Sequence, residues 1–246
     1  GTALLAILLI WELSARTGVV DPLLISSPTA VAHAGYTLFA DGNIWNDLEV
    51  SATEFLIGYA SAAAIGIPLG VATGWYRRLS YLLGPFIDTL NAVPRVTLLP
   101  LIVIWFGIGI WSKVVVVFLG AVIPIAISAH AGVKTNEARY LNVARSFGAS
   151  EFKILSSIIL PGTVPFIFTG LKYGSGRALL GVVAGELYAA TAGVGVMIGN
   201  AGNNLRTDVL FFGVLLFTVA GLTSVAVLDW FERRFETWRP RVGSAA

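Results

Sequence analysis

The sequence predicts an all-α integral membrane protein of six transmembrane helices, with a short polar helix between two of the spans. The first ground is composition. Apolar residues make up 56% of the chain and charged ones 12%, where a water-soluble domain carries about 25% charged residues. Mean hydropathy is +0.81. The second ground is a series of nearly uncharged runs, each long enough to cross roughly 30 Å of hydrocarbon. The third is one segment, 136–153, too polar to enter lipid yet lodged between two such runs. A net charge of only +2 gives no reason to expect nucleic-acid binding, and there is no cysteine for a disulfide or thiolate metal site. His33 and His130 lie far apart, and no His, Glu or Asp cluster has metal-ligand spacing. No cofactor site is therefore expected in this chain.

The whole of 1–246 is expected to form a single transmembrane domain. Residues 1–15 are apolar up to Trp11 but too short to cross alone, so they are read as the remainder of a first span whose earlier part precedes Gly1. Residues 27–41 predict an interfacial helix on the outer surface. Ser27 is a suitable N-cap with Pro28 at the first helical position, and Val31, Ala34 and Leu38 share a face before Asp41-Gly42 ends it. Trp45 would anchor the next entry into the membrane.

A five-helix core over 46–233 follows. Residues 55–76, 114–133 and 209–228 are uninterrupted spans. Between Arg78 and Lys113 only Asp88 and Arg95 break an apolar stretch, which fits one bent or tilted span. Residues 154–189 supply another, with Lys172, Arg177 and Glu186 inside it. The segment 191–208, rich in glycine and asparagine with Met197 at its middle, reads as an outer loop where a mobile gate could sit. Lys and Arg crowd one side: Arg77, Arg78, Lys134, Arg139, Arg145, Lys153, Arg233, Arg234, Arg239 and Arg241. The other side holds Arg16, Lys113 and Arg206, so the positive-inside rule puts both termini in the cytoplasm.

The polar segment has its own local logic. Residues 136–147 have the mix of a short amphipathic helix, and Gly148 can take the left-handed conformation that ends one. Ser150 then caps the next helix, with Glu151 in its first turn. Pro161 and Pro165 sit where that helix enters the membrane and would bend it.

Five ionisable residues fall at or near membrane depth, where they are costly and face a bundle interior or a watery path. Arg177 and Glu186 are nine residues apart, about 180° around one continuous helix, so they do not pair with each other. Glu186 needs a partner elsewhere, across a dimer for instance, and is either a structural ion-pair member or part of a pathway or gate. Arg95 follows Pro94 and is either a cation on the route of an anion or an arginine snorkelling to headgroups. Lys172 reads as an interfacial lysine and Glu54 as a wet helix end. Gly66, Gly70 and Gly74 give one span a smooth face for close packing.

Two sets of residues carry a resemblance. Leu141-Asn-Val-Ala-Arg-Ser-Phe-Gly148 followed by Ile158-Ile-Leu-Pro161 resembles the cytoplasmic coupling loop of ABC importer permeases. The pattern there is E-A-A, three residues, Gly, nine residues, then I-x-L-P. Asn142, Val143 and Ala144 stand at the E-A-A positions, with Asn142 replacing the usual Glu. From Trp11 onward the chain also resembles the nitrate/sulfonate/taurine branch of these permeases. The segments concerned include Ala92-Val-Pro-Arg-Val-Thr-Leu-Leu-Pro100, Ile104-Trp-Phe-Gly-Ile-Gly109 and Gly185-Glu186.

The resemblance implies a type I ABC importer fold with a coupling helix over Asn142, Val143, Ala144, Arg145, Ser146, Phe147 and Gly148. Apart from the resemblance, Arg95, Arg177, Glu186 and Met197 are the candidate residues of the translocation pathway or gate, three as ionisable groups at membrane depth and Met197 as the middle of the outer segment. The resemblance further implies a second copy of the chain, a dimer of ATP-binding subunits that holds ATP and Mg, and a periplasmic or lipid-anchored binding protein. The setting would be the bacterial inner membrane and the cargo a small anionic or zwitterionic solute. The chain has no G-x-x-x-x-G-K-S/T phosphate loop, so it is expected not to hydrolyse ATP itself. Two rival readings are an ATP-independent secondary transporter or channel, which leaves the polar turn without a purpose, and an intramembrane enzyme. The second rival lacks a nucleophile and base constellation, or a metal pair, at membrane depth.

Overall fold

The structure, a computed structural model, describes residues 2–17, 21, 24–42, 44–135 and 143–235. Among these residues every regular element is helical. In chain order they are α1 (Thr2–Arg16), α2 (Pro28–Ala40), α3 (Ile44–Trp75), α4 (Arg77–Ala92), a 3-10 turn (Arg95–Leu98), α5 (Leu99–Phe106) and α6 (Ile110–Thr135). There follow α7 (Glu151–Ala189), α8 (Val194–Asn203) and α9 (Thr207–Phe235).

Four helices, α3, α6, α7 and α9, are long and apolar enough to cross a membrane, and the pair α4 and α5 makes a fifth if counted as one broken span. The break is at Val93, whose extended backbone (ψ 126°) is what a residue before proline adopts. Helix α1 has 15 residues, short of the roughly 20 that a span needs. The chain is thus a multi-pass membrane protein with four or five spans among its described residues. Helix α6 is the most enclosed, with 61% of its apolar window buried against 17% to 28% in the other three.

The chain divides into two compact units, residues 1–58, 96–117 and 179–220, and residues 59–95, 118–178 and 221–246. In the first, α2 forms as its sequence predicts. The Ser27 hydroxyl accepts from Ala30 N–H at 3.2 Å, Pro28 opens the helix, and Gly42 follows its end at φ +73°. The predicted face is the buried one. Val31 packs with Ile44 and Phe212, and Ala34 with Ala201 and Val209. Trp11 of α1 donates to the Ser26 carbonyl at 2.6 Å, and Glu12 accepts from the Thr29 amide and hydroxyl, which fastens α1 to α2.

In the second unit α6 lies between α3 and α7, and glycines set the spacing. A Cβ at Gly66 would stand 2.9 Å from the Val122 carbonyl oxygen, and one at Gly74 2.6 Å from Val133 Cβ. On the opposite side, a Cβ at Gly170 would stand 2.7 Å from Ser128 Cβ, and one at Gly174 2.9 Å from Ile125 Cγ1. Small residues let the helix backbones approach closely where lipid supplies no hydrophobic drive. The entry of α7 contains a π turn over Leu155–Ile159, just before Pro161. Pro161 has no N–H to return to the preceding turn, and a π turn absorbs that missing bond.

Candidate functional site

The polar turn between α6 and α7 is built from local hydrogen bonds. Residues 143–146 form a helical turn, and Phe147 N–H donates to the Val143 carbonyl at 3.1 Å. Gly148 N–H donates to Arg145 O at 2.9 Å and Ala149 N–H to Ala144 O at 3.1 Å, with Gly148 at φ +75°. That pairing is a Schellman cap, which needs a residue free to adopt the left-handed region. Ser150 then caps α7 by accepting from Lys153 N–H at 3.3 Å. Arg145 reaches across the turn to Glu151 with both nitrogens, Nε to Oε1 at 3.0 Å and Nη2 to Oε2 at 3.3 Å.

Ala144 and Ala149 pack onto a cluster of Val133, Ile154 and Ile159. Apolar side chains also point outward. Phe147 is 88% exposed and Phe152 78%, and Phe152 lines a groove of about 560 Å³ together with Trp75, Arg77, Arg78 and Arg145. The turn thus shows aromatic rings and arginines to its surroundings. Asn142 lies outside the described residues, as do 136–141. Val143 to Gly148 are the described part of that segment.

A buried polar network occupies the first unit. Asp47, Ser51 and Glu54 recur along one face of α3. Gly193 N–H donates to Asp47 Oδ1 at 2.8 Å, and Val194 N–H donates to Ser51 Oγ at 2.9 Å. The Ser51 hydroxyl in turn donates to Glu186 Oε1 at 2.5 Å, and Gly195 N–H donates to Glu186 Oε2 at 2.5 Å. The free amides at the start of α8, with the positive end of its dipole, thus meet Asp47, Ser51 and Glu186. Gly193 and Gly195 permit that approach, since a Cβ on Gly195 would stand 2.8 Å from Glu186 Oε2.

Lys113 of α6 completes the network with Nζ 2.8 Å from Glu54 Oε1. Neither Glu54 oxygen has an aligned hydrogen-bond partner, so charge is what holds this pair. Glu54 is fully buried and Lys113 only 5% exposed. Gly185 leaves room for the lysine stem, as its missing Cβ would lie 3.0 Å from Lys113 Cγ.

Three expectations are corrected here. Glu54 is not a wet helix end, because α3 starts at Ile44 and carries it about three turns in. Glu186 finds its partners within its own chain, in Ser51 and Gly195, and does not need a dimer for them. Residues 191–208 are not simply a loop, because α8 occupies Val194–Asn203 with Met197 packed against Val31, Phe212 and Ala201. Lys113, Ser51 and Asp47 escaped the sequence reading; the spacing of Asp47, Ser51 and Glu54 was the available signal. Gly193 has φ +129°, and replacing it with Ala is expected to cost about 1–3 kcal/mol of stability. Thermal unfolding of the solubilised protein would measure that loss.

Lys172, Arg177 and Arg95 lie in the second unit. Lys172 is neutralised by Asp229 and by Glu232, the latter 2.5 Å away. Arg177 Nη2 donates to Tyr173 OH at 2.6 Å. Arg95 opens the 3-10 turn after Pro94, with Nη2 3.4 Å from Asn91 Oδ1. Arg95 and Arg177 belong to the second unit, and Glu186 and Met197 to the first. No group of three His, Cys, Asp or Glu residues suited to a metal occurs among the described residues.

Comparison with known proteins agrees with this picture. Residues 66–238 match the family described as binding-protein-dependent transport system inner membrane component. The chain is 37% identical over 244 residues to the taurine transport system permease protein TauC of Escherichia coli, covering 97% of this chain and 89% of that one. It is 30% identical over 233 residues to a Bacillus subtilis protein named as an aliphatic sulfonates transport permease, SsuC, covering 95% and 84% of the two chains. In fold it matches the MetNI methionine ABC transporter with a TM-score of 0.65 at 18% identity, over 78% of this chain and 94% of that one. The chain therefore belongs to the binding-protein-dependent transport inner membrane component family, as a non-catalytic, membrane-spanning permease subunit of an ABC transporter.

Proposed function

We propose that this chain is the permease of an ATP-driven importer of taurine or a related small sulfonate, and that residues 142–148 couple ATPase closure to alternating access. Family membership implies two kinds of partner, an ATPase and a substrate-binding protein. The observation that carries the coupling role is the Schellman-capped turn ending at Gly148, packed on Val133, Ile154 and Ile159 with Phe147 outward. A turn held so tightly transmits displacement to α6 and α7 as a lever, because packed elements shift between discrete arrangements and do not deform continuously.

In this reading two copies of the chain, each with six spans, stand in the bacterial inner membrane with both termini cytoplasmic. A dimer of ATPases binds ATP and Mg and closes against the turn. The spans reorient, the loaded binding protein releases its solute, and hydrolysis resets the state. Glu186 and Met197 position the gate through α8, and Arg95 and Arg177 lie on the pathway. The substrate class comes from the taurine and sulfonate relatives, with nitrate as the related alternative.

The test is co-purification of the cognate ATPase with wild type and with Gly148→Pro. Gly148 has φ +75° and donates its N–H to Arg145, and proline can do neither. The variant is expected to keep its spans and lose at least about tenfold of the retained ATPase, which corresponds to disrupting one well-ordered anchor. A wild-type protein that purifies alone and transports in liposomes without ATP would instead establish an ATP-independent transporter.

A further inference from the structure

The second unit holds a cavity of about 360 Å³ lined from three helices. Thr73 comes from α3 and His130 from α6, while α4 supplies Ser80, Tyr81, Gly84 and Asp88. The α4 residues recur at steps of three and four, which puts them on one face of that helix. Gly84 keeps the face open, since a Cβ there would meet nothing within 4 Å. The volume is that of a small-molecule site.

The polar groups of this cavity mostly accept. Asp88 lies in the broken pair α4 and α5, and among the described residues it forms no ion pair. A carboxylate in a membrane span is costly unless water or a cation reaches it. The Thr73 hydroxyl directs its proton to the Leu69 and Gly70 carbonyls at 2.9 and 3.1 Å, so its oxygen accepts from His130 Nδ1, 3.1 Å away. The neutral ring then carries its proton on Nδ1 and keeps a lone pair on Nε2. Ser80 adds a hydroxyl oxygen. The Tyr81 oxygen already receives Arg77 Nε and Nη2 at 3.2 and 3.0 Å, which leaves its O–H to donate.

A primary ammonium brings three N–H donors and a positive charge. A carboxylate, an imidazole nitrogen and a hydroxyl oxygen satisfy both, with charge strengthening the bond to the carboxylate. An anion alone would meet the Asp88 charge. A zwitterion can turn its ammonium to Asp88 and give an anionic oxygen to the Tyr81 O–H.

We propose that this cavity binds the primary ammonium group of an aminosulfonate solute on its way across the membrane, with Asp88 as the counter-charge. The proposal rests on the importer reading above and names a site within it. Phosphatidylethanolamine carries the same ammonium, and the proposal commits to the solute.

The experiment uses this chain with its ATPase, purified in detergent. It compares the thermal shift given by taurine with that given by isethionate, which has a hydroxyl in place of the ammonium. Wild type is expected to be stabilised by taurine and not by isethionate. Asp88→Asn, which keeps the side-chain shape and removes the charge, is expected to lose the taurine shift. Gly84→Leu, which fills the cavity and leaves every polar group in place, is expected to lose it as well. Should Asp88→Asn fail to fold, Gly84→Leu decides. No taurine shift in wild type, equal shifts from the two compounds, or a taurine shift that survives in Gly84→Leu would each overturn the site.

Transport gives a second readout. The complete transporter, binding protein included, is placed in vesicles of phosphatidylcholine, whose quaternary ammonium has no N–H. Taurine uptake is expected to fall about tenfold or more in Asp88→Asn, through loss of a charge-assisted hydrogen bond. Asp88→Glu is expected to recover part of it. Unchanged uptake in Asp88→Asn overturns the proposal. So does a defect confined to vesicles containing phosphatidylethanolamine, which identifies that lipid as the occupant. A wild-type transporter that moves no sulfonate refutes the substrate reading separately, and the site then stands or falls on the thermal shifts.

Discussion

Replacing Lys113 with Met is expected to destabilise the protein by about 3–5 kcal/mol, the cost of leaving a buried charge without its partner. Glu54 is fully buried, takes no aligned hydrogen bond, and has the Lys113 ammonium at 2.8 Å as its counter-charge. Methionine fills the space of the lysine stem but leaves the carboxylate buried without its counter-charge. The expected result is a sharp drop in the thermal midpoint of the solubilised protein and in its yield from membranes. The double variant Lys113→Met with Glu54→Gln should recover much of that loss, since replacing both members of a buried pair by neutral groups is often tolerated. If the single variant unfolds at the wild-type temperature, the pair does not hold the network together.

Gly70→Val is expected to cost about 1–3 kcal/mol or more through overpacking. A Cβ at Gly70 would collide with the Ala126 carbonyl oxygen and stand 2.6 Å from Ala129 Cβ. Both obstacles belong to α6 and neither can rotate away, so α3 must separate from α6. Gly84 supplies the control. Nothing lies within 4 Å of a Cβ there, and it sits inside α4. Gly84→Ala should therefore leave stability unchanged or raise it by up to about 1 kcal/mol, through the helix propensity of alanine. Thermal melts of the two variants side by side would decide between close packing and a general intolerance of glycine replacement.

Much of the fold was legible because its causes are local. The runs at 114–133 and 209–228 lie inside α6 and α9, and the Asp88 and Arg95 interruptions mark the broken pair α4 and α5. Gly148 ends its helix at φ +75°, as its position in the pattern requires. Ser27-Pro28 opens α2 and Gly42 follows its close. Helix α8 was not legible. Its glycines and asparagines are weak helix formers, and its stability comes from Asp47, Ser51 and Glu186 receiving its first amides and from Met197 packing onto Val31 and Phe212. All of these partners lie elsewhere in the chain or act at a distance.

The charged residues divide along the same line. Lys113 borders an apolar run and so reads as a loop cation, but α6 begins at Ile110 and carries it inside. Arg95 and Arg177 are each legible as costly intramembrane cations. The sequence by itself determined the membrane class, the long apolar runs, the glycine that ends the polar turn and the family, since each follows from hydropathy, spacing and local backbone preference. Only the tertiary structure decided which charges are neutralised and which are left open. Pairing depends on distances between segments remote in the chain, and no local pattern encodes those distances.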